Sequence, residues 1–381
     1  MKTIYLDNAA TTPVDDRVIE AMKPYFNEKY GNASSVHLKG QEAKRAMEEA
    51  RTTIAHSINA SSDEIIFTGG GTESNNLALK GLFFENKDKG KNHIITTKIE
   101  HDCVMNAAKW LEKQGAEVTY LDVDSGGFVK PEDIRKAIKE NTLLVSVIHG
   151  NNEIGTIQDI EVIGKICREK GVLFHTDACQ SYTKTKLNVK KQNIDLVTLN
   201  AHKIHGPKGV GALYIKKGIK ITPILHGGGH ERGIRSGTEN TPGIVGFAKA
   251  AKLAKDKHIK QMRKLRDKLI NRILAIENTK LNGPRENRLC NNVNVCFNNV
   301  EGESIGGYLE AYGICSSTGS ACASHSLEPS HVLRAIGRSH LEANSSIRLS
   351  IGRQNTEEEI DKLLDVLPGI IIKLRKISPF K

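Results

Sequence analysis

Residues 195–215 read DLVTLNAHKIHGPKGVGALYI and place a polar turn between two apolar runs. Each run has the length and composition of a short buried strand, and glycine or proline at positions 206, 207, 209 and 211 interrupts the chain between them. The turn holds Lys203, with histidines at 202 and 205. A lysine held at the end of a strand is a candidate for chemistry, although a solvated turn lysine is the simpler interpretation in a chain with 55 Lys and Arg residues.

The composition is that of a soluble globular protein long enough for two domains, since its 381 residues are 38% hydrophobic and 26% charged. No apolar run approaches the roughly 20 residues of a membrane helix, and the first residues, MKTIYLDNAATTP, lack the apolar core of a signal peptide. We therefore expect a cytoplasmic protein with no membrane partner. The seven cysteines are scattered without a CxxC pair, which indicates neither a disulfide framework nor a zinc knuckle.

The formal net charge of +11 is compatible with nucleic acid or acidic partners. The lysines are spread along the chain, however, and the densest helix-like run, 249–272, is more typical of a solvated helix face. Aromatic residues make up only 5% of the chain, which argues against a surface that stacks bases. We expect no direct binding of nucleic acid, and a basic surface suited to an anionic cofactor, substrate or partner protein.

Short β-rich runs alternate with amphipathic stretches of helix length, which predicts βαβ units and a mainly parallel sheet. The runs begin at 65, 93, 118, 143 and 172, and the helical stretches include 40–56, 103–114 and 160–170. Beyond about residue 255 the pattern changes to a long charged helix, short strands and a closing helix from about 356. The sequence thus predicts an α/β fold with a large domain, 15–255, and a smaller α+β domain formed by 1–14 and 256–381.

Ligands of such sheets bind beyond the carboxyl ends of the strands, so the loops there are informative. Three glycines, 69–71, follow the run at 65 and precede Thr72 at what looks like a helix start, where backbone N–H groups can hold a phosphate. The pattern is not a P-loop, which needs a lysine after the last glycine. It is not a dinucleotide fingerprint either, because Ser74 occupies the third glycine position. Alone, it is nearly as typical of a tight turn.

Three later strand ends carry further polar residues. His101 is placed to stack on an aromatic ligand, to shuttle protons in catalysis or to cap a helix, and Asn152 to orient a ligand oxygen. Asp177 is placed to pair with a protonated ring nitrogen or with a nearby lysine. An anion cradle, a stacking imidazole, an acid for a ring nitrogen and Lys203 for a Schiff base together match the demands of pyridoxal phosphate. The sequence therefore predicts a site for this cofactor.

Motifs that run over nearly the whole chain carry a family resemblance. They are YLDNAATTPVD at 5, YGNASSVH at 30, FTGGGTESNN at 67, EHDCV at 100, NNEIGTIQDI at 151, HTDACQS at 175, AHKIHGPKGVGALYI at 201, GGGHERGIRSGTEN at 227, SSTGSACAS at 316, LEPSHVLRAIG at 327 and SSIRLSIGR at 345. With them the chain resembles the cysteine desulfurases, pyridoxal-phosphate enzymes of the aminotransferase class V type that take sulfur from L-cysteine for iron-sulfur clusters. The resemblance implies fold type I of these enzymes, with a seven-stranded sheet in the large domain.

The resemblance also implies roles for the residues at the strand ends. Lys203 would form the Schiff base and move the Cα proton, while His101 would stack on the cofactor ring. Asp177 would keep the ring nitrogen protonated. Gln180 would donate a hydrogen bond to the phenolic oxygen, and Asn152 would lie between that oxygen and the substrate carboxylate.

For the phosphate, the resemblance implies a cradle of Gly71, Thr72 and His202. Thr238 would join it from a partner subunit, which implies a homodimer. The family usually has a serine three residues before the lysine as a further phosphate contact. This chain has Asn200 there, and an amide can still donate a hydrogen bond.

For the substrate, the resemblance implies that Arg348 binds the carboxylate of L-cysteine as a bidentate pair. Cys322, in a run of small residues, would be the nucleophile that takes the sulfur as a persulfide and leaves alanine. The persulfide would pass to an iron-sulfur scaffold protein or another acceptor. For Cys315, seven residues upstream, core packing is the simpler interpretation and a resolving role the alternative. The end of the chain, at ISPFK, is similar to the shorter, nitrogen-fixation-type members.

Other functions remain open at this point. A selenocysteine lyase, another β-lyase or an aminotransferase would use the same fold, although transamination needs no thiol. A non-catalytic scaffold for a metal or a cluster is the remote alternative. His226 and His230 lie four apart in a glycine-rich run rather than a helix, and the histidines at 202 and 205 lack accompanying ligands. We therefore expect no metal site.

Overall fold

The fold is organised around a seven-stranded sheet, and the computed structural model describes residues 3–318 and 329–379. The strands are β1 (Ile4–Tyr5), β2 (Ile65–Thr68), β3 (His93–Thr97), β4 (Glu117–Leu121), β5 (Thr142–Ser146), β6 (Leu173–Asp177), β7 (Leu196–Asn200), β8 (Gly211–Ile215), β9 (Thr279–Leu281), β10 (Asn292–Phe297), β11 (Ile314–Cys315) and β12 (Ser346–Ser350).

Helices follow most strands. They are α1 (Asp16–Met22), α2 (Pro24–Asn27), α3 (Leu38–Ser57), α4 (Gly71–Asn86), α5 (Asp102–Glu112), α6 (Pro131–Ala137), α7 (Ile160–Lys170), α8 (Thr241–Leu253), α9 (Asp256–Ile273), α10 (Gly302–Ala311), α11 (His331–Ala335), α12 (His340–Asn344) and α13 (Glu357–Ile377), with short 3-10 turns at Ser62–Glu64, Lys87–Lys89 and Glu231–Gly233. No helix in the described part of the chain is long and apolar enough to cross a membrane.

The large sheet has the strand order β2-β8-β7-β6-β5-β3-β4, and β8 runs antiparallel to both of its neighbours while all other pairs are parallel. The predicted α/β class with a mainly parallel seven-stranded sheet is confirmed. Successive side chains of a strand point to opposite faces, so Ile65 and Phe67 of β2 pack on one face of the large sheet while Ile66 packs on the opposite face. Helices cover both faces, which explains why the strands are buried throughout.

A second apolar core lies outside the large sheet. It is built around the antiparallel order β12-β10-β9, the parallel pair of β1 with β11, and the apolar faces of α9, α10 and α13. Ile4 and Leu6 from the start of the chain belong to this core, and the Asn8 side-chain amide donates to the carbonyl of Ser350 at 2.8 Å. The predicted boundaries of the two domains, at residues 15 and 255, stay a prediction.

The lysine-rich run over 249–272 spans two helices rather than one. The backbone is extended at Ala254 and Lys255, which ends α8 and caps the start of α9. On α9, Met262, Leu265 and Leu269 enter the second core while most of the charged side chains face solvent, as a solvated helix face requires.

Candidate active site

The carboxyl ends of the central strands bring the predicted site residues to one edge of the sheet. Asp177 ends β6 and Asn200 ends β7, and Lys203 follows three residues later. Because β8 runs in the opposite direction, its first residue, Gly211, pairs with Asn200 at the same edge. The polar turn identified in the sequence is thus held between two paired strands.

The N-terminal segment fixes the conformation of this turn. The Thr12 hydroxyl donates to the carbonyl of His202 at 2.8 Å and accepts from the backbone N–H of His205 at 2.8 Å. Within the described ranges, Nζ of Lys203 makes no hydrogen bond or ion pair. Burial lowers the pKa of Lys203, and the positive charge of Arg348 acts in the same direction. The turn therefore presents an amine biased towards its neutral, nucleophilic form.

Asp177 is buried and rigidly held. One carboxylate oxygen accepts from the side-chain amide of Asn75 at 2.7 Å, and the other accepts from the backbone N–H of Cys179 at 2.8 Å. Asn75 comes from α4 and was not predicted, although it lies within the quoted motif FTGGGTESNN. Since both oxygens have lone pairs left, the carboxylate can accept a further hydrogen bond from a ligand.

The predicted phosphate cradle lies at the start of α4. Gly71 is the first residue of this 16-residue helix, and a Cβ atom placed there would lie 2.6 Å from Sγ of Cys179 and 3.5 Å from Nδ2 of Asn200. Only glycine fits that close approach. Thr72 is exposed, so the N–H groups of the first helical turn are open to a ligand.

His202 and Asn200 complete the inner wall of the cradle. Nδ1 of His202 lies 3.2 Å from the Thr11 hydroxyl, and burial together with the charge of Lys203 lowers the pKa of His202 to about 4. The imidazole is therefore neutral near pH 7 and can donate one hydrogen bond. Oδ1 of Asn200 is buried without a hydrogen-bond partner in the described part of the chain. An amide oxygen can only accept, so it is the Nδ2 of Asn200 that could donate to a phosphate oxygen.

His101 both caps a helix and borders the site. Its Nδ1 accepts from the backbone N–H of Cys103 at 3.2 Å at the start of α5, which confirms the predicted role of His101 as a helix cap. Burial and the nearby charge of Lys203 lower the pKa of His101, so its ring is neutral. The cap fixes the ring without closing its faces to a stacked ligand.

Arg348 reaches the edge from β12. Its Nη2 pairs with Asp7 at 2.9 Å, its Nη1 donates to the carbonyl of Asn152 at 3.2 Å, and its buried Nε has no partner among the described residues. The guanidinium is thus positioned by Asp7 and keeps a donor for an anion.

Gln180 is also buried, and its amide donates to the carbonyl of Ala9 at 2.8 Å.

A buried acid next to His101 was missed by the sequence prediction. One oxygen of Glu100 accepts from the Thr97 hydroxyl at 2.7 Å and from the backbone N–H of Ile148 at 2.9 Å, while the other has no partner in the described chain. Burial raises the pKa of Glu100 to about 8. The signal available in the sequence was an acidic residue three positions after the β-rich run HIITT, which ends at residue 97.

The structure does not bring Thr238 of the same chain to this edge. Thr238 lies in an exposed part of the loop before α8. Cys322 lies outside the described residues. Cys315 is half-buried in β11, and neither core packing nor a resolving role is decided by this position.

The donors and acceptors at the edge fit pyridoxal phosphate. An open helix start and a neutral imidazole suit a phosphate, a fixed carboxylate suits a pyridinium nitrogen, and an unpaired amine suits an aldehyde. These residues come from β6, β7 and the loops that follow them, and from the start of α4 after β2.

Comparison with known proteins extends this description. A family model described as aminotransferase class-V matches residues 4–363. The chain is 53% identical to a cysteine desulfurase IscS of Methanosarcina thermophila over 99% of this chain and 94% of that protein. It is similar to a solved NifS-like protein (TM-score 0.92, 42% identity, 98% and 100% coverage of this and that chain). It is also similar to a structure titled SspA in complex with cysteine (TM-score 0.84, 39% identity, 93% and 100% coverage).

Proposed function

Because the chain belongs to the aminotransferase class-V family and is a cysteine desulfurase, we propose that it takes sulfur from L-cysteine, releases L-alanine and keeps the sulfur as a persulfide on Cys322. The overall change converts L-cysteine and one thiol into L-alanine and one persulfide, so it needs no outside oxidant. The observation that carries the proposal is the unpaired, neutral-biased amine of Lys203 at the same sheet edge as the fixed carboxylate of Asp177.

Members of this family use pyridoxal phosphate, and we propose that this chain binds it at that edge. Lys203 would hold it through Nζ, Asp177 would accept from its ring nitrogen, and Gln180 would face its phenolic oxygen. The start of α4, with Gly71 and Thr72, together with His202 and Asn200, would hold the phosphate. When bound, this cofactor withdraws electrons from the α-carbon of an amino acid.

The proton chemistry then falls to Lys203. Burial lowers its pKa and so favours the neutral amine, whose Nζ would take a proton from Cα and return it. The neutral ring of His101 would stack on the cofactor and would not compete as a second cation. Arg348, steadied by Asp7, would bind the substrate carboxylate through its free Nε and one Nη, next to Asn152.

The sulfur step requires a thiol nucleophile. The thiolate of Cys322 would attack the sulfur of bound cysteine, a sulfur–sulfur bond would form, and the carbon–sulfur bond would break with its electron pair left on Cβ. A proton on Cβ then completes alanine. We propose that the persulfide passes to an iron-sulfur scaffold protein or another acceptor.

The homodimer stays a proposal, with Thr238 of each subunit at the phosphate of the other. Its support in this chain is the exposure of Thr238 on a loop held to the protein's own cradle helix, where Arg235 pairs with Glu73 at 2.8 Å. The cytoplasmic location predicted from the sequence also stays a prediction.

Mass spectrometry after incubation with L-cysteine tests reaction and nucleophile together. The wild-type protein should gain the mass of sulfur on the peptide that holds Cys322 and release alanine in equal amount. Cys322→Ser should keep the yellow colour of bound cofactor and form no persulfide, whereas Cys315→Ser serves as the matched control and should behave as wild type. Unchanged sulfur release by Cys322→Ser would show that another thiol is the nucleophile.

A further inference from the structure

A second lysine, Lys184, lies directly behind the lysine turn. After β6 the chain coils back on itself, and Thr183 adopts a left-handed conformation with φ 62°. This conformation is uncommon for a β-branched residue. It returns the side chain of Lys184 towards the site, where Nζ donates to the carbonyl of Gln180 at 2.8 Å and to the carbonyl of Lys203 at 3.2 Å.

These two carbonyls belong to different segments. Gln180 follows β6, and Lys203 follows β7. One ammonium group thus joins the backbones of two residues that the proposed function places on the same cofactor. The Gln180 side chain is held separately by Ala9, so the bridge from Lys184 fixes its main chain and leaves its side-chain contacts unchanged.

Lys184 makes this bridge without a counter-ion. In the described part of the chain no carboxylate lies within ion-pair distance of its Nζ. Burial lowers the pKa of Lys184 to about 8, and the charge of Lys203 acts in the same direction. Burying an ammonium group without a counter-ion costs solvation free energy. The burial of Lys184 therefore indicates a function that a neutral side chain could not provide.

The surroundings of Lys184 are basic or neutral. Lys184 lines a small cavity of about 30 Å³ that lies behind the lysine turn, and apart from Lys203 itself none of the predicted cofactor residues lines it. The titratable groups that face Lys184 are Cys179 of its own turn, Cys290 before β10, Lys203 and His205 of the lysine turn, and Lys255, His258 and Arg353 across the cavity. Arg353, which lines the cavity, donates to Asp15, and Asp15 also accepts from Arg17.

We propose that Lys184 is a positioning residue for the reaction: its two hydrogen bonds fix the main chain of Gln180 relative to that of Lys203. This rests on the proposed function, since it assumes that both residues act on one bound cofactor. The bridge sets where Nζ of Lys203 emerges from the turn. The charge acts through space, because two like charges in a buried site each favour the neutral form of the other.

Three substitutions separate the bridge from the charge. Lys184→Met removes both, Lys184→Gln keeps an amide donor without charge, and Lys184→Arg keeps donors and charge. Lys186→Met is the matched control, because Lys186 is exposed two residues further on. Each purified protein is stripped of cofactor, mixed with pyridoxal phosphate, and followed by visible absorbance for the rate of uptake and for the pH midpoint of the bound band.

We expect Lys184→Met to take up cofactor at least about tenfold more slowly and to move the spectral midpoint to higher pH, because removing a neighbouring cation favours the protonated form. Lys184→Gln should recover much of the uptake rate but keep the shifted midpoint. Lys184→Arg should restore the midpoint to within a few tenths of a pH unit. With L-cysteine, kcat should fall in Lys184→Met more than KM rises, since the substrate carboxylate is bound elsewhere.

Several results would overturn the inference. Wild-type uptake and an unmoved midpoint in Lys184→Met, with a folded protein by circular dichroism, would leave Lys184 without a role in the site. A lower thermal midpoint with unchanged spectra would show a structural role alone. If Lys184→Met does not fold, Lys184→Gln and Lys184→Arg still decide the matter through their midpoints. If the wild-type chain takes up no cofactor, the proposed function fails instead, which is a separate outcome.

Discussion

Glu100 gives a prediction whose size follows from its environment. The acid is fully buried beside His101, with one oxygen bonded to Thr97 and Ile148 and the other unpaired in the described chain. Its pKa is raised from 4.5 to about 8, with burial as the main cause. Between these two values the folded protein keeps the proton while the unfolded chain releases it. The free energy of unfolding must therefore fall as pH rises through this window.

The magnitude is about 1.4 kcal/mol for each pH unit, which sums to at most about 5 kcal/mol across the window. The stabilising contribution is present below about pH 4.5 and has been lost by about pH 8. Glu100→Gln resembles the protonated acid in shape and charge and cannot ionise. The free energy of wild type minus that of the variant should therefore decline with pH between 5 and 8 and stay level above 8.

Urea unfolding at a series of pH values measures this difference, with circular dichroism and the fluorescence of Trp110 as signals. Trp110 is the single tryptophan and lies on α5, the helix that follows His101. Glu277→Gln, which changes the same residue type at an exposed position, is the control. A wild-type-minus-variant difference that is constant from pH 5 to 9 would refute the argument, because it would mean that Glu100 is ionised in the folded protein.

Further predictions concern buried contacts around the site. Glu231→Gln removes the carboxylate that pairs with the buried Arg51 at 2.7 Å, so the free energy of unfolding should fall by about 3–5 kcal/mol. A thermal midpoint within one degree of wild type would contradict this. Gly71→Ala should block cofactor uptake, measured by visible absorbance, because the new Cβ atom would lie 2.6 Å from Sγ of Cys179. The double variant Gly71→Ala with Cys179→Ala should restore uptake. If it does not, the clash with Cys179 is not the cause. Arg348→Lys should raise KM for L-cysteine at least about tenfold with a smaller change in kcat, since lysine cannot form the bidentate pair, and an unchanged KM would place the substrate carboxylate elsewhere.

The sequence predicted the edge of the sheet well for a physical reason. In a parallel sheet the carboxyl ends of the strands meet on one side, so polar residues that follow apolar runs must gather there. Asp177 and Lys203 could be assigned in this way without any contact being known. The glycine at 71 could be read as a cradle because no other residue allows such close backbone approach.

Contacts between distant segments could not be predicted in the same way. Asn75 reaches Asp177 only because α4 packs across the end of β6, and Asp7 meets Arg348 across 341 residues of chain. No local pattern encodes either pair. Lys184 was missed because its direction depends on the left-handed conformation of Thr183, a residue type that does not signal such a turn.

The start of α9 at Asp256 agrees with the predicted change of pattern near residue 255, but the charged run 249–272 did not by itself show the break between α8 and α9. Ala254 and Lys255 are both compatible with a helix, and no glycine or proline marks the end of α8. Packing of the apolar face of α9 on the second core fixes the direction of that helix. Tertiary contacts therefore decide this boundary where local preference is neutral.

The closure of the second core by the start of the chain has a consequence for synthesis on the ribosome. Asn8 finds its partner, Ser350, only 342 residues later, whereas the last strand of the large sheet ends at Ile215. The seven strands of the large sheet can therefore pair during synthesis, together with the predicted phosphate cradle, before the partners of residues 4–8 have been synthesised. The pairing of Asp7 with Arg348 comes last. If the proposed function holds, the nascent chain forms its cofactor site before its site for the substrate carboxylate.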